Sequence, residues 1–275
     1  MKPYEIEKFR KKLIKEEKAE KTVEKYVRDV MQFCEYCNGE ITKEKTALYK
    51  KALEEKGYKP RSINSMIASA NAYLTYTGNV GMKMKSLKLQ KEVFCSAKKE
   101  LSKAEYEKLC RAAMQNGNER LCLLLQTICA SGIRVSELPF VTVESLDRGE
   151  VTVTLKGKTR TVFLVKELRK KLLAYCREQG IKTGPVFITK NGKPIERTNV
   201  WREMKNLCKK AKVDSEKVFP HNLRHLFARS FYALDKDIAK LADVLGHSSI
   251  ETTRLYIIST GTEHRKRMEK LNLII

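Results

Sequence analysis

Apolar residues recur three and four positions apart along much of the chain, and one short stretch follows a strand pattern instead. Val151-Thr-Val-Thr-Leu155 alternates, Thr161-Val-Phe-Leu-Val165 is a run of β-favouring residues, and Lys156-Gly-Lys-Thr-Arg160 bridges them. Alternation suits a strand buried on one face, and a glycine-bearing turn lets the chain reverse, so the stretch predicts a hairpin. Helical period elsewhere then restricts the chain to a mainly α fold with a small antiparallel β-sheet.

The helical part divides in two. Ile6, Phe9, Leu13 and Ile14 share a helical spacing. Thr22 predicts the N-cap of a helix over 23–37, with Val23, Tyr26, Val27, Val30 and Phe33 on one stripe, ended by Asn38-Gly39. Thr42 starts a third helix to Glu55, and Pro60 suits the first turn of a fourth to Tyr76, closed by Gly78. Four short helices with brief connections predict a helical domain over residues 1–78. Residues 79–100 lose the period and hold Lys83, Lys85, Lys88, Lys91, Lys98 and Lys99, which predicts a basic linker.

A second domain is expected over 101–275. It opens on Ser102 with Glu105 three residues on, a capping box. An apolar helix over 120–130, a break at Gly132 and a short helix at 135–138 precede the hairpin. Further helices are expected near 167–178, 199–211, 222–234 and 237–245. A tail over 257–275 begins with Ser259-Thr-Gly-Thr262 and ends in Leu271-Asn-Leu-Ile-Ile275. An apolar end needs cover, either on its own domain or on a neighbouring subunit, and the flexible connector favours the neighbour.

The net charge is +23, and residues 1–99 and 100–275 each carry an excess of Lys and Arg. A charge so large and so spread favours a polyanion partner over a merely solvated surface. No apolar run is long enough to span a bilayer, and the Lys- and Glu-dense start lacks a signal-type stretch, which places the protein in the cytoplasm with no membrane partner. Of the eight cysteines only Cys34 and Cys37 form a CxxC. They share a face with Val30 and Phe33 and read as core, so no metal site is expected.

Four fragments carry chemistry together: Ala130-Ser-Gly-Ile-Arg-Val-Ser-Glu-Leu138, Leu155-Lys-Gly-Lys-Thr-Arg160, His221-Asn-Leu-Arg-His225 and Leu245-Gly-His-Ser-Ser-Ile-Glu-Thr-Thr-Arg-Leu-Tyr256. They supply arginines, a hairpin lysine, histidines and a tyrosine. A phosphodiester needs its free oxygens neutralised, which arginine does bidentately. It also needs an in-line nucleophile and an acid for the leaving oxygen. Singly, each residue has a plainer reading: surface arginines, a histidine capping a helix after Pro220, an ordinary helix tyrosine. Glu137 is expected to fix backbone or arginine geometry, and His225 to pack beside the site. Gly157-Lys158-Thr159 imitates the end of a P-loop, but position 152, where the loop needs glycine, is Thr, so no nucleotide is implied.

The ordered fragments closely resemble the tyrosine recombinase, or phage-integrase, family, and the likeness spans essentially the whole chain. It implies an N-terminal helical (SAM-like) core-binding domain, a linker and a catalytic domain, the two domains clamping duplex DNA. By this resemblance Arg134 and Arg224 hold the scissile phosphate, His247 adds a hydrogen bond, and His221 assists proton transfer or orientation. Tyr256, nine residues after His247, is the nucleophile. The family's hairpin motif reads G-K-G-x-K-x-R. Here L-K-G-K-T-R is one residue shorter, so Lys156 is the better match for the general acid and Lys158 the rival. The resemblance implies a 3′-phosphotyrosine intermediate, a four-way junction, double-stranded DNA as partner and a homotetramer on paired sites, with accessory DNA-bending proteins as optional partners. No cofactor is implied. A type IB topoisomerase-like enzyme and a non-catalytic DNA-binding regulator are the alternatives.

Overall fold

The computed structural model describes residues 3–89, 100–155, 157–257 and 269–270. Lys156, the later part of the expected linker and nearly all of the expected tail lie outside these residues. The chain forms two compact units, Met1–Lys91 and Glu92–Ile275.

The first unit holds α1 (Pro3–Lys15), α2 (Glu20–Tyr36), α3 (Lys43–Glu55) and α4 (Pro60–Tyr76). Thr42 caps α3 by accepting from the Lys45 N–H at 3.2 Å, as its residue type favours. α2 begins at Glu20 rather than after Thr22, with Ala19 at the cap position. Glu20 and Lys21 are good helix formers, and an acidic first-turn residue suits the positive end of the helix dipole, so the helix gains a turn. Phe9, Leu13, Val30, Phe33 and Tyr73 fill the core, whereas Ile14 faces solvent. Phe9 and Tyr73 meet edge to face at 5.2 Å. Cys34 and Cys37 are both buried, and desolvation pushes the Cys34 thiol up to about 12, the behaviour of a core residue.

The bundle does not end at Gly78. Asn71 donates to the Met84 carbonyl at 2.8 Å and accepts from the Met84 N–H at 2.9 Å. Asn64, two turns earlier on α4, does the same with Leu87 at 2.9 and 2.7 Å. Two side-chain amides thus imitate strand pairing, and the first part of the lysine-rich segment lies strapped along the bundle.

The second unit runs α5 (Lys103–Gln115), α6 (Glu119–Ser131), a 3-10 turn (Val135–Phe140), α7 (Val143–Arg148), β1 (Glu150–Leu155), β2 (Lys158–Phe163), α8 (Lys166–Glu178), α9 (Arg197–Ala211), α10 (Pro220–Asp235), α11 (Ile238–Leu245) and α12 (Ile250–Ile257). The Ser102–Glu105 capping box forms in both directions. α7 was not expected; it is capped by a reciprocal Thr142–Ser145 pair and stopped at Gly149, where φ is +79°. The strands are antiparallel, with Val151 opposite Val162, Val153 opposite Arg160 and Leu155 opposite Lys158. Val151, Val153 and Val162 are buried. The main core lies around α6, where Leu121, Leu124, Leu125 and Ile128 meet Leu172, Phe187, Met204 and Leu223. A second, smaller core gathers Ala228 of α10, Leu241 and Leu245 of α11 and Tyr256 of α12. Among the described residues no helix is long and apolar enough to cross a membrane.

Candidate active site

α6 ends on Gly132 in the left-handed region, at φ +64°. A Cβ there would stand 2.5 Å from the Phe227 ring, so only glycine lets the chain turn this close to α10. The turn delivers Arg134 at once. Glu137 accepts from the Arg134 backbone N–H at 2.9 Å and from its Nη1 at 2.8 Å. Arg134 Nη2 donates to the Gly246 carbonyl at 3.1 Å. Glu137 is buried and also accepts from Arg160, Nη2 to Oε2 at 2.5 Å and Nε to Oε1 at 3.3 Å. Burial acts to raise its pKa, but the Arg160 and Arg134 hydrogen bonds outweigh it and hold the carboxyl below the usual range.

α10 carries Arg224 into the interior, 1 % exposed. Arg224 donates to the carbonyls of Gly132 and of Leu245, the latter at 2.6 Å, and to His247 Nε2 at 3.0 Å. Its Nε has no partner among the described residues. Desolvation, and then the charge of Arg134, bring its pKa down to about 10, so it stays cationic at neutral pH. Among the described residues, Arg134, Arg160 and Arg224 face the one carboxylate of Glu137, which leaves a local positive excess suited to an anion.

His247 follows the left-handed Gly246 that ends α11. A guanidinium only donates, so Nε2 of His247 must accept from Arg224, and Nδ1 carries the proton to Thr253 Oγ1 at 2.9 Å. Desolvation and then Arg224 lower its pKa to about 4, consistent with a neutral ring. His247 therefore holds the Arg224 fork here. A direct bond to a phosphate oxygen requires Nε2 to release that fork and take the proton.

Tyr256 closes the site from α12. Its hydroxyl stands 3.0 Å from His221 Nε2. Its ring lies parallel to His225, with centroids 4.1 Å apart and planes 6° apart, and it leans on His247 at 4.9 Å. His221 keeps an exposed edge, yet lost hydration and then the nearby Arg224 move its pKa below the ordinary value. A neutral Nε2 beside a phenol is placed to receive its proton. His225 is driven further down, to about 3, by desolvation and then by His221.

The structure thus brings together Arg134, His221, Arg224, His247 and Tyr256 from four separate segments. Lys156 lies outside the described residues; Lys158 opens β2. Two participants carried no assigned role from the sequence, Arg160 and Thr253, whereas His225, expected to pack beside the site, stacks on Tyr256. Thr253 precedes Tyr256 by three positions and so shares its helical face, a signal that spacing does provide. Among the described residues no group of three His, Cys, Asp or Glu side chains gathers as metal ligands.

Residues 99–263 match the phage integrase family, and residues 6–77 match the phage integrase N-terminal SAM-like domain. The chain is 28% identical over 279 residues to tyrosine recombinase XerA of Pyrococcus furiosus, covering 98% of this chain and 94% of that protein. In fold it is similar to the Tn1549 transposon integrase in complex with transposon right end DNA, at a TM-score of 0.74 and 17% identity, covering 97% and 99% of the two chains. It is also similar to a lambda integrase (75-356) dimer bound to a COC′ core site, at a TM-score of 0.75 and 17% identity, covering 94% and 95%.

Proposed function

This chain belongs to the phage integrase family, enzymes of DNA cleavage and rejoining, and from that premise we propose a site-specific recombinase acting through Tyr256. One observation carries the reading: a tyrosine hydroxyl 3.0 Å from a neutral histidine nitrogen, in a site where Arg134 and Arg224 are already fixed by carbonyls. Held cations aimed at one place are what a pentavalent phosphate needs, because they require no reorganisation as charge develops.

The cycle follows from these groups. Arg134 and Arg224 bind the scissile phosphate of double-stranded DNA, the unpartnered Arg224 Nε–H adding a donor. The Tyr256 oxygen bonds to phosphorus as the bond to the 5′ oxygen breaks. The phenol proton passes to His221 Nε2, and Lys156 protonates the leaving oxygen. The 3′-phosphotyrosine keeps the energy of the broken ester, so a 5′-hydroxyl from a second strand rejoins by the reverse displacement without a nucleotide. Exchange of the first strand pair gives a four-way junction, exchange of the second pair resolves it, and a homotetramer on two sites carries out both. The first unit, with its strapped lysines, acts as the core-binding domain, and accessory DNA-bending proteins are optional partners.

A suicide substrate tests this. It is a nicked half-site whose cleaved 5′ fragment diffuses away. The wild-type protein should become covalently attached to it, and Tyr256→Phe should bind without attaching. Attachment that survives in Tyr256→Phe would remove the proposed nucleophile. Binding without attachment by the wild type would favour the non-catalytic regulator, and relaxation of supercoils without strand exchange the topoisomerase-like alternative.

A further inference from the structure

α11 ends in three consecutive carbonyls, each taken by a different arginine. Val244 accepts from Arg160 Nη1 at 3.0 Å, Leu245 from Arg224 at 2.6 Å and Gly246 from Arg134 at 3.1 Å. The three arginines come from β2, α10 and the turn after α6. A helix C-terminus has carbonyls without helical partners and the negative end of the dipole, so it suits guanidinium groups. Two of these arginines are the proposed phosphate clamps. The third differs in how its donors are spent. Arg160 gives Nε and Nη2 to Glu137 and Nη1 to Val244, and its side chain is 14% exposed.

We infer that Arg160 is a positioning residue for DNA cleavage, acting on Arg134 through Glu137 and on Arg224 through the end of α11. This inference rests on the recombinase reading. The path is short on both sides. Glu137 holds Arg134 at two points, and it keeps its charge in a buried place because the Arg160 hydrogen bonds, together with those from Arg134, outweigh burial. Val244 immediately precedes Leu245, whose carbonyl fixes Arg224, and lies three residues before His247. The fit is also steric. A Cβ at position 246 would overlap Arg160 Cδ, so the left-handed glycine that ends α11 leaves room for the arginine stem as well as for its own backbone. Because Arg160 stands on the hairpin opposite Val153, the same contacts tie the strand that follows Lys156 to the phosphate clamp.

The test uses the full-length protein and a half-site suicide substrate with a 5′-bridging sulfur, whose leaving group needs little protonation. That removes the hairpin lysine from the rate and isolates the clamp. Arg160→Met keeps the stem and loses every donor; Arg160→Lys keeps a charge but cannot serve Glu137 and Val244 together. With enzyme in excess, Arg160→Met should cleave roughly 100-fold more slowly, the scale of a misplacement of about 1 Å at a reacting centre. Half-site affinity should change less than about threefold, because phosphates along the whole site dominate binding. Arg160→Lys should fall between Arg160→Met and wild type, which keeps the inference testable if the methionine variant folds poorly.

The pH profile separates positioning from simple loosening. Glu137 faces Arg134 from its own turn, Arg160 from β2 and, further off, Arg224 from α10. Without Arg160 the carboxyl pKa rises, so the variants should lose cleavage at a higher pH than wild type as the solution is acidified. Equal cleavage by wild type and both variants across pH overturns the inference alone. So does a loss that is the same at every pH and matched by lost affinity. A wild type that binds the half-site but never attaches to it overturns the recombinase reading, and the inference with it.

Discussion

Replacing His225 by alanine removes the ring that lies flat against the proposed nucleophile. The two planes are 6° apart at a centroid distance of 4.1 Å, and Tyr256 is otherwise steadied by His221 at its hydroxyl and His247 at its side. Aromatic pairs contribute about 0.5–1.5 kcal/mol beyond their buried area, so losing this one leaves the ring free to tilt at a cost of roughly 1 kcal/mol. If that penalty falls on the attacking geometry, single-turnover attachment to a half-site suicide substrate should slow about five- to tenfold. His225→Phe should stay near the wild-type rate. Its ring offers the same plane, and no charge is lost, because desolvation and the neighbouring His221 hold His225 at a pKa of about 3, neutral near pH 7. Rates would be measured with enzyme in excess, alongside half-site affinity, which neither change should move. If His225→Phe is as slow as His225→Ala, the nitrogen matters and the stacking argument is wrong. If His225→Ala attaches at the wild-type rate, the plane does not position Tyr256 at all.

His225 and His247 both have folded pKa values below that of a free histidine, so they stabilise the fold fully above about pH 6.5 and lose that contribution as pH falls toward their folded values of about 3 and about 4. The ceiling between pH 7 and 5 is roughly 2 kcal/mol for each ring, and partial exposure brings the pair to about 2 kcal/mol together; thermal melts should show this decline, and a flat melting temperature over that range would contradict it. DNA affinity should drop steeply with salt through counterion release, given +23 spread over both halves, and a nearly salt-independent Kd would mean the charge does not face phosphate. Lys156→Ala should slow cleavage far more than Lys158→Ala, and a 5′-bridging sulfur should rescue it; rescue of Lys158→Ala instead would reassign the acid. Changing Asn64 and Asn71 together to alanine removes four hydrogen bonds to Met84 and Leu87, worth about 1 kcal/mol each, and trypsin should then cut faster at Lys83, Lys85 and Lys88. Unchanged digestion would show that packing alone holds the strap.

What the sequence made legible was mostly local. Ser102 with Glu105, Thr42, Pro60 and Gly132 announce helix ends because capping is settled within one turn of chain. α7 stayed hidden because six residues are too few to display a period. The strap stayed hidden because Asn64 and Asn71 look like any polar residues on a helix until the chain returns beside them. The same limit governs the site. Arg134, His221, Arg224, His247 and Tyr256 could be named from ordered fragments, but nothing local says that Arg160 reaches across to Val244 or that His225 lies under Tyr256. Those contacts join segments through the packing of α10, α11 and α12.

That packing also resolves an apparent conflict. The proposed function asks the site to take an anion, yet it stands at the C-terminus of α11, the end whose dipole repels one. The carbonyls of Val244, Leu245 and Gly246 are not left bare; each is covered by a guanidinium. The helix end serves as the counter-charge that lets Arg134 and Arg224 sit close together with fixed forks. Glu137 serves the same purpose for Arg134 and Arg160 from the opposite side. In the proposed reaction, cations held in this way are oriented before DNA arrives, and the electrostatic work of lowering the barrier is then done in folding rather than during the reaction.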